Sequence, residues 1–199
     1  MLQFESSDTV DFPLSVPEPV LSPFHERLRN ATRFCHEEVD ALYGQFDLGD
    51  RGSYGDFLAA HARALLPLEE WIGMSDLVEG AQPRSPALRA DIEALGRPLI
   101  EPARLAWEKK DSALWGAAYV IEGSRLGGAV LRKAVAADLP HQYLSSIHPQ
   151  GAWRAFLRQL DRKASDGGEF WQIEAVASAI RTFTLFADGA VAWGAVRGR

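Results

Sequence analysis

Residues 119–130 read Tyr-Val-Ile-Glu-Gly-Ser-Arg-Leu-Gly-Gly-Ala-Val and set Gly123, Gly127 and Gly128 inside an otherwise strong helical segment. Leu114, Trp115, Ala117, Ala118, Val120, Ile121, Leu126, Val130 and Leu131 surround them, with no proline and no turn cluster. Each interior glycine costs a helix about 1 kcal/mol relative to alanine, so the three cost about 3 kcal/mol together. A helix accepts that where its backbone must bend or come very close to something. Gly123 and Gly127 are four residues apart and share a face, as do Ser124 and Gly128. The result is a smooth strip about one turn long, suited to a flat ligand or another helix.

Outward from this strip the chain reads as helix after helix. Pro23 suits a helix start. Leu28, Ala31, Cys35, Val39 and Leu42 then follow the four–three spacing of one continuous helical face. A second helix runs through Phe57, Ala60, Ala64, Leu65, Leu68 and Trp71, with Ser53 or Asp56 as its cap and a kink expected at Pro67. Ser85 is placed to cap a short helix over 86–95 that stops at Gly96. The glycine-interrupted helix spans 112–137, and two further amphipathic helices span 151–163 and 170–193. Val, Ile and Thr never alternate as a strand requires, so the class is all-α. Residues 1–22, with Pro13, Pro17 and Pro19, read as an arm with little regular structure, ahead of a single domain over 23–199.

Composition narrows the function. The formal charge of −6 leaves no basic surplus for nucleic acid. Cys35 is the only cysteine, so an intrachain disulfide or a cysteine zinc site is excluded and a reducing cytoplasm suits the chain. No apolar run reaches the length of a membrane span, and the first residues lack the features of a secretory signal. There is no phosphate loop, dinucleotide fingerprint or nucleophile elbow. A monomer is the simplest expected state.

Among the candidate site residues, His36 lies mid-helix with Arg29 seven residues before it, two turns and about 10 Å away along the same face. That offset suits a ligand with a metal at its centre and carboxylates at its edge, such as haem: a neutral imidazole ligates iron and a guanidinium pairs with a propionate. A lone histidine is more often structural, as is a lone surface arginine. Tyr119, one turn before Gly123, either reaches a carboxylate at the rim of a ligand on the glycine strip or is an ordinary core tyrosine. Ser124 either holds a water or bonds the Val120 carbonyl. Glu122 has the chemistry of an acid catalyst and the position of a structural partner. Cys35 reads as a small core residue, and His25, His61, His141 and His148 show no metal-ligand spacing.

Together these segments resemble the haem oxygenase family, in its bacterial biliverdin-producing branch. Leu-Arg-Asn-Ala-Thr-Arg-Phe-Cys-His at 28–36 is similar to the family's proximal helix and Glu-Gly-Ser-Arg-Leu-Gly-Gly at 122–128 to its distal helix. The likeness continues through Trp-Arg-Ala-Phe-Leu at 153–157 and the helix holding Ala179, Phe183 and Phe186, covering roughly 24–190. The resemblance implies a helical bundle with haem, both substrate and cofactor, between a proximal and a kinked glycine-rich distal helix. By the same resemblance His36 is the iron ligand, Arg29 and Tyr119 hold propionates, and Phe183 lines the pocket. Gly123, Ser124, Gly127 and Gly128 form the distal wall, with Ser124 where animal members carry an aspartate. It further implies cleavage of haem by O2 to biliverdin, CO and ferrous iron, with electrons from a separate ferredoxin or flavin reductase. The competing readings are a non-catalytic haem carrier or sensor on the same fold, and a helical scaffold whose glycine strip packs two helices.

Overall fold

The structure is a computed structural model that describes residues 22–73, 77, 82–99 and 105–197, with side chains to residue 192. All but Ser22 of the expected arm over 1–22 lies outside the described residues. Among the described residues there is no strand. The helices are α1 (Phe24–Ala31), α2 (Arg33–Tyr43), α3 (Arg51–Ile72), α4 (Ser85–Ala94), α5 (Asp111–Leu131), α6 (Gln142–Ser145) and α7 (Ala152–Arg197). A 3-10 turn, Arg132–Ala134, follows α5, so the glycine helix ends earlier than its apolar pattern suggests.

Several helix boundaries differ from the sequence reading. The expected single helix through His36 is two, broken at Thr32, whose φ of −101° and ψ of 2° leave the helical region. Its hydroxyl donates to the Leu28 carbonyl at 2.9 Å, a local bond that competes with regular helix. The cap of α3 is Asp50 rather than Ser53 or Asp56; its carboxylate accepts from the Ser53 backbone at 2.7 Å. Ser53 instead accepts from the Asp47 backbone, and Asp56 pairs with Arg97 at 2.6 Å. Helix α3 continues past Pro67 to Ile72 and ends on Gly73, whose φ of 65° suits glycine. Ser85 begins α4 but does not cap it, because its hydroxyl donates to Glu69 at 2.5 Å.

The core lies between α3, α5 and α7. Helix α3 is apolar around most of its circumference (Leu58, Ala60, Ala64, Leu65 and Leu68 are fully buried), as suits a central helix. The two expected C-terminal helices join as α7 across a kink at Gly168, whose φ of 69° and ψ of −167° a residue with a Cβ rarely adopts. Helix α7 packs against α1, α2, α3 and α5. Its contact with α5 is backbone to backbone: a Cβ on Gly116 would lie 2.1 Å from the Ala175 carbonyl oxygen. One turn on, Ser178 donates to the Ala113 carbonyl at 2.7 Å. Against the expectation of no such run, Ala152–Ala192 contains a window long and apolar enough to cross a membrane by length and composition; half of that window is buried inside the bundle.

Candidate functional site

Helix α2 presents His36 outward, with 62% of its side chain exposed. Asp40, one turn on, stands 3.0 Å from Nδ1. The carboxylate favours hydrogen on Nδ1, which leaves the lone pair of a neutral ring on Nε2. The Phe183 ring of α7 meets His36 edge-on at 5.8 Å and limits how the imidazole can turn. The apolar side of α2 (Cys35, Val39, Leu42) packs half-buried against the core, so Cys35 serves as a packing residue.

Helix α5 has two unlike sides at its glycines. Tyr119, Gly123, Leu126, Gly127 and Val130 fall on one face by helical periodicity. A Cβ added to Gly127 would meet nothing within 4 Å, and one on Gly123 would meet only Trp153, at 3.6 Å. Leu126 and Val130 beside them are 50% and 66% exposed. Among the described residues, no side chain lies over this apolar face. Gly128 instead packs on Leu144 of α6, which a Cβ would approach to 3.7 Å. Ser124 also points into protein: its hydroxyl donates to the Ile121 carbonyl at 2.7 Å, not to Val120, and accepts from Arg84 at 2.6 Å.

Arg84 is buried, donates from the same nitrogen to the Ile121 carbonyl at 3.0 Å, and lies over the Tyr143 ring at 5.1 Å. Glu69 of α3 accepts from the Arg84 and Ser85 backbones, each at 2.8 Å, tying this turn to the central helix. Further along α5, Glu122 is a structural partner. It pairs with Arg125 at 3.0 Å and stands 3.3 Å from His148 Nδ1, while His148 Nε2 bonds the Glu122 carbonyl at 2.9 Å. Arg125 also donates to the Gln82 and Ser146 carbonyls, which fixes the segment after α6 against the distal helix.

The remaining histidines are held by protein. His61 bonds the Phe57 carbonyl at 3.2 Å through Nδ1, among the rings of Tyr43, Phe57, Tyr143 and Phe186. Burial there pushes its pKa down to about 3, so the ring is neutral. His25 pairs with Asp161 at 2.7 Å and His141 with Ser145 at 2.9 Å.

Four of the candidate residues approach one another across helices. Arg29 is exposed on α1, yet its charge reaches Tyr119 on α5: burial raises the phenol's pKa and Arg29 opposes that rise. His36 and Phe183 touch. Asp40 and Arg84 lie beside the candidate residues and went unread in the sequence, while Trp153, read there only as part of the 153–157 likeness, lies at the edge of the α5 face. Asp40 had a signal, because a carboxylate four residues after a histidine on a helix can hold one of its ring nitrogens. Arg84 had none, because nothing local links it to Ser124.

Known proteins give a consistent picture. No protein-family model matches the chain. A curated protein of Xanthomonas campestris pv. campestris (strain 8004) named heme oxygenase is 30% identical over 148 residues, spanning 69% of this chain and 88% of that protein. The NO- and CO-bound heme oxygenase of Neisseria meningitidis superposes with a TM-score of 0.74 at 21% identity, over 87% of this chain and 92% of that one. Heme oxygenase 2 of Chlamydomonas reinhardtii, solved without heme, gives a TM-score of 0.66 at 15% identity, over 86% and 98%. At such identities the two structures speak for the fold, and the curated relative carries the family.

Proposed function

The chain belongs to the haem oxygenase family, and from that premise we propose that it seats haem between α2 and α5 and opens the ring to biliverdin, CO and ferrous iron. It is a haem-degrading enzyme with the haem oxygenase fold. The observation that carries the fuller reading is the uncovered apolar face of α5 at Leu126, Gly127 and Val130. Apolar side chains grouped without cover mark a binding surface more often than isolated ones do.

The residues present fit haem. His36 Nε2 is the iron ligand, with Asp40 holding the ring's other nitrogen and raising its basicity. Arg29 and Tyr119 form the propionate end, a cation and a hydroxyl close enough to interact. Gly123 and Gly127 let the α5 backbone approach the ligand face where any Cβ would stand in the way. Leu126, Val130 and Phe183 exclude water around the apolar edge. Gly128 faces Leu144 of α6, behind the ligand face. When bound, haem supplies both the iron that activates O2 and the macrocycle that is cleaved.

Ser124 contributes an acceptor. Its hydrogen is committed to Ile121 and one lone pair to Arg84, so the remaining lone pair orients a distal water by accepting from it. Protons then reach the site through water rather than from a side-chain acid, in keeping with the pairing of Glu122 to Arg125. The chain has no dinucleotide fingerprint, and we assign the electrons to a separate ferredoxin or flavin reductase. We also propose a monomer working in the cytoplasm, which suits a single free Cys35.

The test is to add hemin to the purified protein, then ascorbate in air, and follow the visible spectrum. A shifted Soret band that decays to biliverdin absorbance, with hemin binding lost in His36→Ala, is the expected result. A Soret band that persists with every electron donor would overturn the proposed products. Unchanged hemin binding in His36→Ala would overturn the ligand assignment.

A further inference from the structure

Trp153 has no part in the chemistry assigned above, yet among the described residues its ring edge is the only group within 4 Å of a Cβ built on Gly123. It is therefore at the rim of the open α5 face. Its ring centroid lies 5.9 Å from that of Tyr119 and 5.5 Å from that of Phe156, the latter pair stacked within 11° of parallel. Phe156 in turn stacks on Trp115 at 5.4 Å. An unbroken row of four rings, Tyr119–Trp153–Phe156–Trp115, thus leads from the ligand face into the contact between α5 and α7.

Tyrosine and tryptophan are the side chains most easily oxidised by one electron with loss of a proton. Their surroundings decide where in the row an electron vacancy rests. Trp115 is buried, its Nε1 has no hydrogen-bond partner among the described residues to take a proton, and the Lys163 ammonium lies 5.9 Å over its ring. Asp111, 3.0 Å from Lys163, offsets much of the lysine charge, so what disfavours a positive vacancy on Trp115 is that it cannot be relieved by deprotonation. Phe156 is much harder to oxidise than either neighbour. Trp153 and its row-mate Tyr119 are only half-buried, and the His148 ring stacks 5.9 Å from that of Trp153, so both lie in more polar surroundings than Trp115.

We propose that Tyr119 and Trp153 form a reducing pair that consumes the oxidising equivalents of hydrogen peroxide arriving at the haem, an inference that rests on haem lying against α5. The peroxide O–O bond breaks and two waters form, taking up two electrons and two protons. The Tyr119 phenol supplies one electron and one proton and becomes a phenoxyl radical. The Trp153 indole supplies the second electron and its Nε1 proton and becomes an indolyl radical. The external electron donor of the main reaction restores both. The pair thereby diverts peroxide from random damage to the haem and the pocket.

The experiment uses the full-length chain loaded with hemin, hydrogen peroxide without an electron donor, and a nitrone spin trap, with adducts mapped by peptide mass spectrometry. Trp107 and Trp171 are the internal controls, since both are half-buried like Trp153 but lie outside the row. Adducts on Trp153 and Tyr119 should exceed those on the controls several-fold and require both hemin and peroxide. In Trp153→Phe the label should move to Tyr119 alone, and the Soret band should bleach faster. Equal labelling of Trp107, Trp171 and Trp153, labelling without hemin, or unchanged Tyr119 labelling and bleaching in Trp153→Phe would each overturn the inference while haem binding stands. Absence of any Soret shift on adding hemin would overturn the haem reading, and this inference with it.

Discussion

Gly127→Ala separates a glycine kept for a ligand from one kept for packing. Nothing among the described residues lies within 4 Å of the added methyl, and the backbone there is helical. Replacing glycine by alanine inside a helix gains about 1 kcal/mol, so the variant without haem should melt about 2–4 °C higher. If haem lies on this face, the same methyl intrudes on a close-packed contact at a cost of about 1–3 kcal/mol. Hemin affinity should then fall about 5- to 150-fold. Gly116→Ala is the counterpart. Its methyl would sit 2.1 Å from the Ala175 oxygen and 3.0 Å from the Ala175 Cα, so α5 and α7 must move apart. That overpacking offsets the helix gain and should lower the melting temperature. Differential scanning fluorimetry without haem and Soret titration with hemin read both effects. A Gly127→Ala protein that melts higher and binds hemin as well as the parent would refute the seating of haem on this face. One that melts lower would show that the face is already occupied by protein.

Asp40→Asn keeps the shape beside His36 but removes the charge that holds Nδ1, and hemin affinity should drop about 10- to 100-fold with little change in melting temperature, as read by Soret titration. His61 gives a pH signature. Its folded-state pKa is about 3 against an ordinary 6.5, so between those values the unfolded chain binds a proton that the folded chain does not. Stability is therefore unaffected above about pH 7 and is lost as the pH falls below 6.5, by about 2 kcal/mol at pH 5 from this residue alone. Urea unfolding at pH 7 and pH 5 should show that loss, and His61→Phe should flatten it. Arg125→Met leaves the buried Glu122 carboxylate without its guanidinium and should cost about 3–5 kcal/mol in urea unfolding, whether or not hemin binds.

Local spacing was enough to read the all-α class, the order of the helices, and the two segments around His36 and Gly123–Gly128 on which the site is built. Helical periodicity is a property of neighbouring residues, so it survives in a bare sequence. It misread places where local alternatives were close in energy. Thr32 breaks a helix whose apolar spacing runs straight through it, and Asp50 rather than Ser53 or Asp56 caps α3.

The sequence by itself determined that Gly123 and Gly127 share a face and that His36 lies two turns from Arg29. Only the tertiary structure decided what lies against each face. It left Gly127 open while packing Gly128 on Leu144, brought Arg29 within reach of Tyr119, and drove Arg84 into the turn at Ser124, 40 residues along the chain. It also spent Glu122 on Arg125 and His148 instead of leaving it free as an acid. The physical reason is range: a residue's place on a helix depends on its near neighbours, whereas its partner depends on how distant helices pack, which no local spacing encodes.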